Sequence, residues 1–132
     1  MLKKIIAVFL LGTMLCSMAA VSFADANSPQ FAFRIDKAGD KQFGMSTGVP
    51  KNDNEQICYV TTVDGELSAS TGFYVRCRDH AGNHEATEAK QLTSKNAKYK
   101  LKYTVQKGVK GKLYRLRGEA DQAMWCEGRW NP

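Results

Sequence analysis

The sequence predicts an all-β chain, a small antiparallel β-sandwich of about seven or eight strands preceded by a cleaved signal peptide. Three observations carry this. Apolar and polar residues alternate in short runs of period two. Gly, Pro, Asn and Asp clusters interrupt those runs roughly every 8 to 15 residues. No segment of ten or more residues shows helical periodicity. That many short strands on about 100 residues favours a sandwich over a barrel.

The chain opens with the marks of export. Lys3 and Lys4 form a positive start, Ile5 to Leu15 an apolar stretch, and Ser22-Phe23-Ala24 a small-residue cleavage site. Residues 1–24 read as signal peptide and 25–132 as a single domain. A membrane anchor would need about 20 apolar residues, and Gly12, Thr13 and Ser17 interrupt this stretch. Leu15, directly before Cys16, is too bulky for a lipoprotein site. No later segment is long and apolar enough to span a bilayer, so the expected product is released from the membrane.

The first strand is Phe31-Ala32-Phe33-Arg34-Ile35. A polar loop from Asp36 to Glu55 follows, with its sharpest turn at Pro50 to Asn54. Gln56 to Val63 is β-branched and aromatic, and Asp64-Gly65 is the best hairpin signal, making Glu66 to Ala69 the return strand. Phe73 to Arg78 turns Phe73, Val75 and Cys77 to one face and Tyr74, Arg76 and Arg78 to the other. Asp79-His80-Ala81-Gly82-Asn83 makes a tight turn. Glu85 to Thr93 suits a strand or a short helical turn. Tyr99 to Val105 alternates most cleanly. A Lys- and Gly-rich loop, 107–112, leads to a strand at Leu113 to Arg117, a turn at Gly118 to Gln122, and a last strand at Met124 to Trp130.

Cleavage after Ala24 leaves 108 residues with 17 basic and 13 acidic side chains, a net charge of +4. Ten Lys or Arg and no Asp or Glu lie between Ala89 and Gly118. Lys98, Lys100 and Lys102 project from one face of a strand, about 7 Å apart. Lys107, Lys110 and Lys112 follow in the loop, and Arg115 and Arg117 in the next strand. Pairing of the two strands as a hairpin would merge these charges into one patch for salt-dependent, sequence-blind anion binding. The simpler role of such lysines is to keep a strand edge from pairing with other chains. Nothing points to base recognition, because the tyrosines between the lysines face the core.

Trp125 and Trp130 lie on opposite faces of the last strand, so one belongs to the core. The other, with Arg129, is a candidate aromatic contact for a sugar ring or a membrane interface. Loss of Cys16 leaves Cys58, Cys77 and Cys126, which allow one intramolecular bridge. Cys77 and Cys126 both sit on apolar strand faces and are the first choice for it. The other reading is three small buried hydrophobes.

Catalytic signals are absent from the sequence. His80 and His84, flanked by Cys77, Asp79 and Glu85, are metal-ligand types, but they fall in a turn without a second cluster, and no metal or cofactor is expected. Leu67 to Gly72 lacks a nucleophile-elbow pattern. No cysteine stands in a protease-like setting, and no glycine loop opens a helix to cradle phosphate.

Two resemblances follow from these residues. Phe73-Tyr74-Val75-Arg76-Cys77-Arg78-Asp79-His80-Ala81-Gly82-Asn83 resembles the strand-turn of bacterial immunoglobulin-like domains. The order of signal peptide, Phe31-x-Phe33, Gly72-x-x-Val75-Arg76, Tyr99-x-x-x-Tyr103 and terminal Gly128-Arg129-Trp130-Asn131-Pro132 is similar to a family of small secreted Gram-positive bacterial proteins classed as a domain of unknown function. The latter implies a secreted β-sandwich and no catalytic residue. The expected function is a secreted, non-catalytic binding protein that associates with an anionic cell-wall polymer or anionic membrane surface. The alternatives are a bacteriocin-like toxin and a small extracellular hydrolase.

Overall fold

The computed structural model describes residues 28–44 and 48–132. The expected signal peptide and its cleavage site lie outside the described residues. Among the described residues there are nine strands and no helix. They are β1 (Gln30–Ile35), β2 (Lys41–Phe43), β3 (Val49–Pro50), β4 (Ile57–Gly65), β5 (Phe73–Asp79), β6 (Lys90–Gln91), β7 (Lys98–Lys102), β8 (Leu113–Ala120) and β9 (Met124–Asn131). One sheet has the order β1-β9-β4-β7. The other has the order β2-β8-β5-β6, with β3 also paired to β8. Every pairing is antiparallel.

Alternation drives this arrangement. Phe31, Phe33 and Ile35 of β1 are each 2 % exposed, and Phe73, Val75 and Cys77 of β5 are buried, while the residues between them face outward. The inner faces meet in one core that includes Trp130, Tyr114, Leu116 and Val60. The Phe33 ring stands 5.2 Å from Phe31 and 6.0 Å from Phe73, which ties β1 to the opposite sheet. Each buried ring contributes roughly 2–3 kcal/mol of transfer free energy.

Phe33 also explains a departure from the sequence reading. A Cβ at Gly118 would lie 2.6 Å from its ring, so the core demands a glycine inside β8. The strand therefore runs through Gly118 to Ala120, and the turn expected at Gly118–Gln122 falls at Asp121–Ala123.

Asp64-Gly65 is not a hairpin turn. Both residues belong to β4 and pair with Glu127 and Cys126 beyond a bulge between Thr62 and Asp64. Gly65 has φ +153°, and a Cβ there would lie 2.9 Å from Cys126 Cα, so its glycine serves a close strand crossing. Glu66 to Ala69 forms no return strand. Ser68 and Thr71 close a turn there instead, with the Thr71 amide donating to the Ser68 carbonyl at 3.2 Å. The local hairpin loses because β4 is central and takes β9 and β7 as its neighbours.

The expected loop at 36–55 contains β2 and β3, which line the outer edge of β8. The Gln42 side chain accepts from the Arg34 amide at 2.7 Å and donates to the Arg34 carbonyl, joining the edges of the two sheets. Residues 85–93 supply only an Arg78–Glu85 bridge and two-residue β6. β7 stops at Lys102 rather than Val105, which is exposed.

Candidate functional site

Leu101 of β7 packs inward, so Lys98, Lys100 and Lys102 point away from the core, and all three are exposed. Register against β4 sets Lys98 opposite Thr61, Lys100 opposite Tyr59 and Lys102 opposite Ile57. The Lys98 ammonium stands 4.4 Å from the centre of the Tyr59 ring. Tyr59 in turn donates its hydroxyl to Glu55 at 2.5 Å, and this hydrogen bond raises its pKa. One strand further in, Arg129 pairs with Thr61, continuing the basic row across the sheet. Its guanidinium donates to the Ser28 carbonyl at 2.7 Å.

The single basic patch expected from the sequence does not form by strand pairing. β7 and β8 are consecutive, but β7 belongs to one sheet and β8 to the other, so the expected hairpin is absent. The connection carries Lys107, Lys110 and Lys112 across the end of the sandwich. Gln56 braces it by donating to the Gly108 carbonyl at 2.9 Å and accepting from its amide at 2.8 Å. Lys107 and Lys110 are exposed, while Lys112 lies 5.7 Å from the Tyr114 ring and donates to Gln106 at 3.4 Å.

Arg115 and Arg117 point outward from the second sheet. Their cross-strand partners on β5 are Arg78 and Arg76. The sequence reading placed Arg76 and Arg78 on the polar face of a strand but did not connect them with Arg115 and Arg117. The signal available was an Arg-x-Arg pair in each strand. What it lacked was the register that sets one pair against the other.

Two further expectations change. Cys77 and Cys126 do not form a disulfide, and all three described cysteines are buried free thiols. Cys77 lies in the second sheet and Cys126 in the first. The thiol whose charge couples to Cys77 across the core is that of Cys58. Tyr103 also approaches Cys77, 3.5 Å from hydroxyl to sulfur. Burial pushes the Cys58 thiol well up, and it pushes Cys126 up to about 12. Trp130 is 1 % exposed, so it is core and not a surface contact. Trp125 is half-buried on the outer face opposite Arg34, separated from the lysine row by Glu127 and Asp64.

His80 accepts from Arg115 Nε at 2.7 Å through Nδ1, and exposed His84 stands 3.5 Å from Asp79. Asp79 is itself structural. Burial would raise its pKa, but donation from Gln106 at 3.0 Å and from the Gly82 amide at 2.6 Å prevails and lowers it. Among the described residues no three His, Cys, Asp or Glu side chains come together as a metal-binding group. No family model, curated protein or solved structure matches the chain.

Proposed function

We propose that this is an exported, non-catalytic binding protein that holds an anionic polymer along the outer face of the β1-β9-β4-β7 sheet. The observation that carries the reading is the row of Lys98, Lys100 and Lys102 on an edge strand, beside the Tyr59 ring and Arg129. Alternate residues of a strand repeat about every 7 Å, a spacing suited to charges that recur along an extended chain. An edge strand also leaves space beside it for a long ligand. Binding of this kind is dominated by release of counterions, so it weakens steeply as salt rises.

The wall polymers of a bacterial surface are the favoured partner class, because a repeating phosphate chain offers one charge per lysine. The test is a salt-titrated pull-down of the secreted protein on purified walls, with anionic lipid vesicles as the comparison. Changing Lys98, Lys100 and Lys102 together to Glu is expected to reduce wall retention at least tenfold at low salt. Retention that survives this change overturns the reading, and retention on vesicles alone moves the partner to the membrane surface.

A further inference from the structure

The outer face of the second sheet holds a feature that polymer binding by the lysine row leaves unused. Antiparallel register sets Arg76 directly opposite Arg117 and Arg78 directly opposite Arg115. Opposed residues in such a ladder have Cβ atoms about 5 Å apart, and like charges there repel. All four side chains point away from the core, because Val75, Cys77 and Leu116 between them point into it. Four guanidinium groups therefore form a two-by-two block.

The balance of charge across the block is incomplete. Glu85 pairs with Arg76, and Glu119 pairs with Arg117 at 3.0 Å. Lys41 also reaches Glu119, at 4.0 Å, and the Asp79 carboxylate acts on Arg78, so three carboxylates face five cations. Arg78 directs both Nε and a terminal nitrogen at one neutral acceptor, the Asn83 carbonyl. Arg115 donates to His80, and its guanidinium stands 5.3 Å from the centre of the Phe43 ring. Arg117 is 9 % exposed, and its Nε has no hydrogen-bond partner among the described residues. A recessed guanidinium with an unused donor beside a surplus of positive charge is a costly arrangement for an empty surface.

We infer that the Arg76, Arg78, Arg115 and Arg117 block is a binding site for a phosphate group. Phosphate suits it because planar guanidinium forks donate paired hydrogen bonds to tetrahedral oxyanions, and a doubly charged group can satisfy two forks at once. Phe43 walls one side, its ring lying against the Arg115 guanidinium. Burial and the neighbouring Arg117 charge both hold the Arg78 guanidinium below its ordinary pKa, a penalty that a bound anion would relieve. The group can arrive as free phosphate or as a phosphate within a polymer.

The experiment follows the arginine Nε–Hε NMR signals and the thermal midpoint of the secreted protein. The probes are inorganic phosphate and inorganic polyphosphate, each against chloride at equal ionic strength. The expected result is saturable shifts of the Arg78 and Arg115 signals and a rise in midpoint of about 6 °C at ten times the dissociation constant. Saturation by inorganic phosphate assigns a site for the free ion. Saturation by polyphosphate alone assigns a site for a phosphate within a chain. No saturable shift with either probe overturns the inference.

The Arg78→Gln, Arg115→Gln double variant separates binding from structure. Without phosphate it is expected to melt no lower than the parent, because two repelling charges are gone. With phosphate its midpoint should not rise. A rise that persists in this variant overturns the assignment. A Lys98→Glu, Lys100→Glu, Lys102→Glu variant is expected to keep the full response. Loss of the response only in that variant would overturn the arginine site while leaving the lysine surface standing.

Discussion

At the scale of single residues, a few side chains carry constraints out of proportion to their size. Lys51 is 1 % exposed, yet it keeps an ammonium in the interior. It donates to Asp53 at 2.8 Å and to the Pro132 carbonyl at 3.0 Å, and lies 5.1 Å from the Tyr103 ring centre. Lys51→Ala removes all three contacts and opens a cavity, so urea denaturation should show a loss of about 3 kcal/mol. Lys51→Met keeps the volume and should cost less. Gly118 gives a sharper sign. Replacing a strand glycine with alanine ordinarily gains about 0.4–1 kcal/mol by restricting the unfolded chain. Here the new methyl meets the Phe33 ring at 2.6 Å, and overpacking of about 1–3 kcal/mol prevails. Gly118→Ala should therefore lower the thermal midpoint. The cysteines make a third case. Cys58, Cys77 and Cys126 are buried thiols, so a thiol reagent at neutral pH should count none in the native domain and three after unfolding.

At the scale of elements, β7 combines two roles that a single substitution set can separate. Its lysines guard an exposed edge, and they form the proposed polymer surface. Glutamates at Lys98, Lys100 and Lys102 keep the edge charged, so stability should stay within about 0.5 kcal/mol and the protein should gain no tendency to self-associate. Valines at the same positions should provoke association, visible by light scattering. The 79–83 turn is weakened by acid. Asp79 has a lowered pKa, held there against burial by Gln106 and the Gly82 amide. Its contribution is present above the ordinary carboxylate value of 3.8 and is lost as pH falls through the lower folded value. Asp79→Asn should flatten that acid limb in a pH series of thermal melts. The sequence read this turn correctly, because Asp-x-x-Gly-Asn acts through neighbouring backbone, and the structure puts the positive φ at Asn83. It misread Asp64-Gly65 by the same local logic, since β4 draws its partners from the distant strands β9 and β7.

At the scale of the whole molecule, the two sheets set an alkaline limit as well. Cys126 ionises near 9.0 when free, and burial moves it to about 12 in the fold. Above pH 9 the unfolded chain loses this proton while the folded chain keeps it, so stability should fall progressively between pH 9 and 12. Cys126→Ala should weaken that fall in the same melts. Much of the architecture was legible in the residues themselves. Period-two runs identified β1, β5 and β7, because burying one face of a strand imposes alternation wherever its partner lies, while β4 was marked by its β-branched and aromatic residues and β8 and β9 by the turns around them. The same patterning marked Trp125 and Trp130 as facing opposite ways and set the lysines of β7 outward. Short β2 and β3 left no such mark, since their positions depend on the edge of β8 rather than on their own residues. Register and sheet membership were beyond local reading for the same reason. Only the packed sandwich sends β7 and β8 to different sheets, sets Cys58 rather than Cys126 against Cys77, and brings four arginines from two distant strands into one block. These relations arise from contacts between residues far apart in the chain, and alternation within a strand says which face is buried but not which strand will cover it.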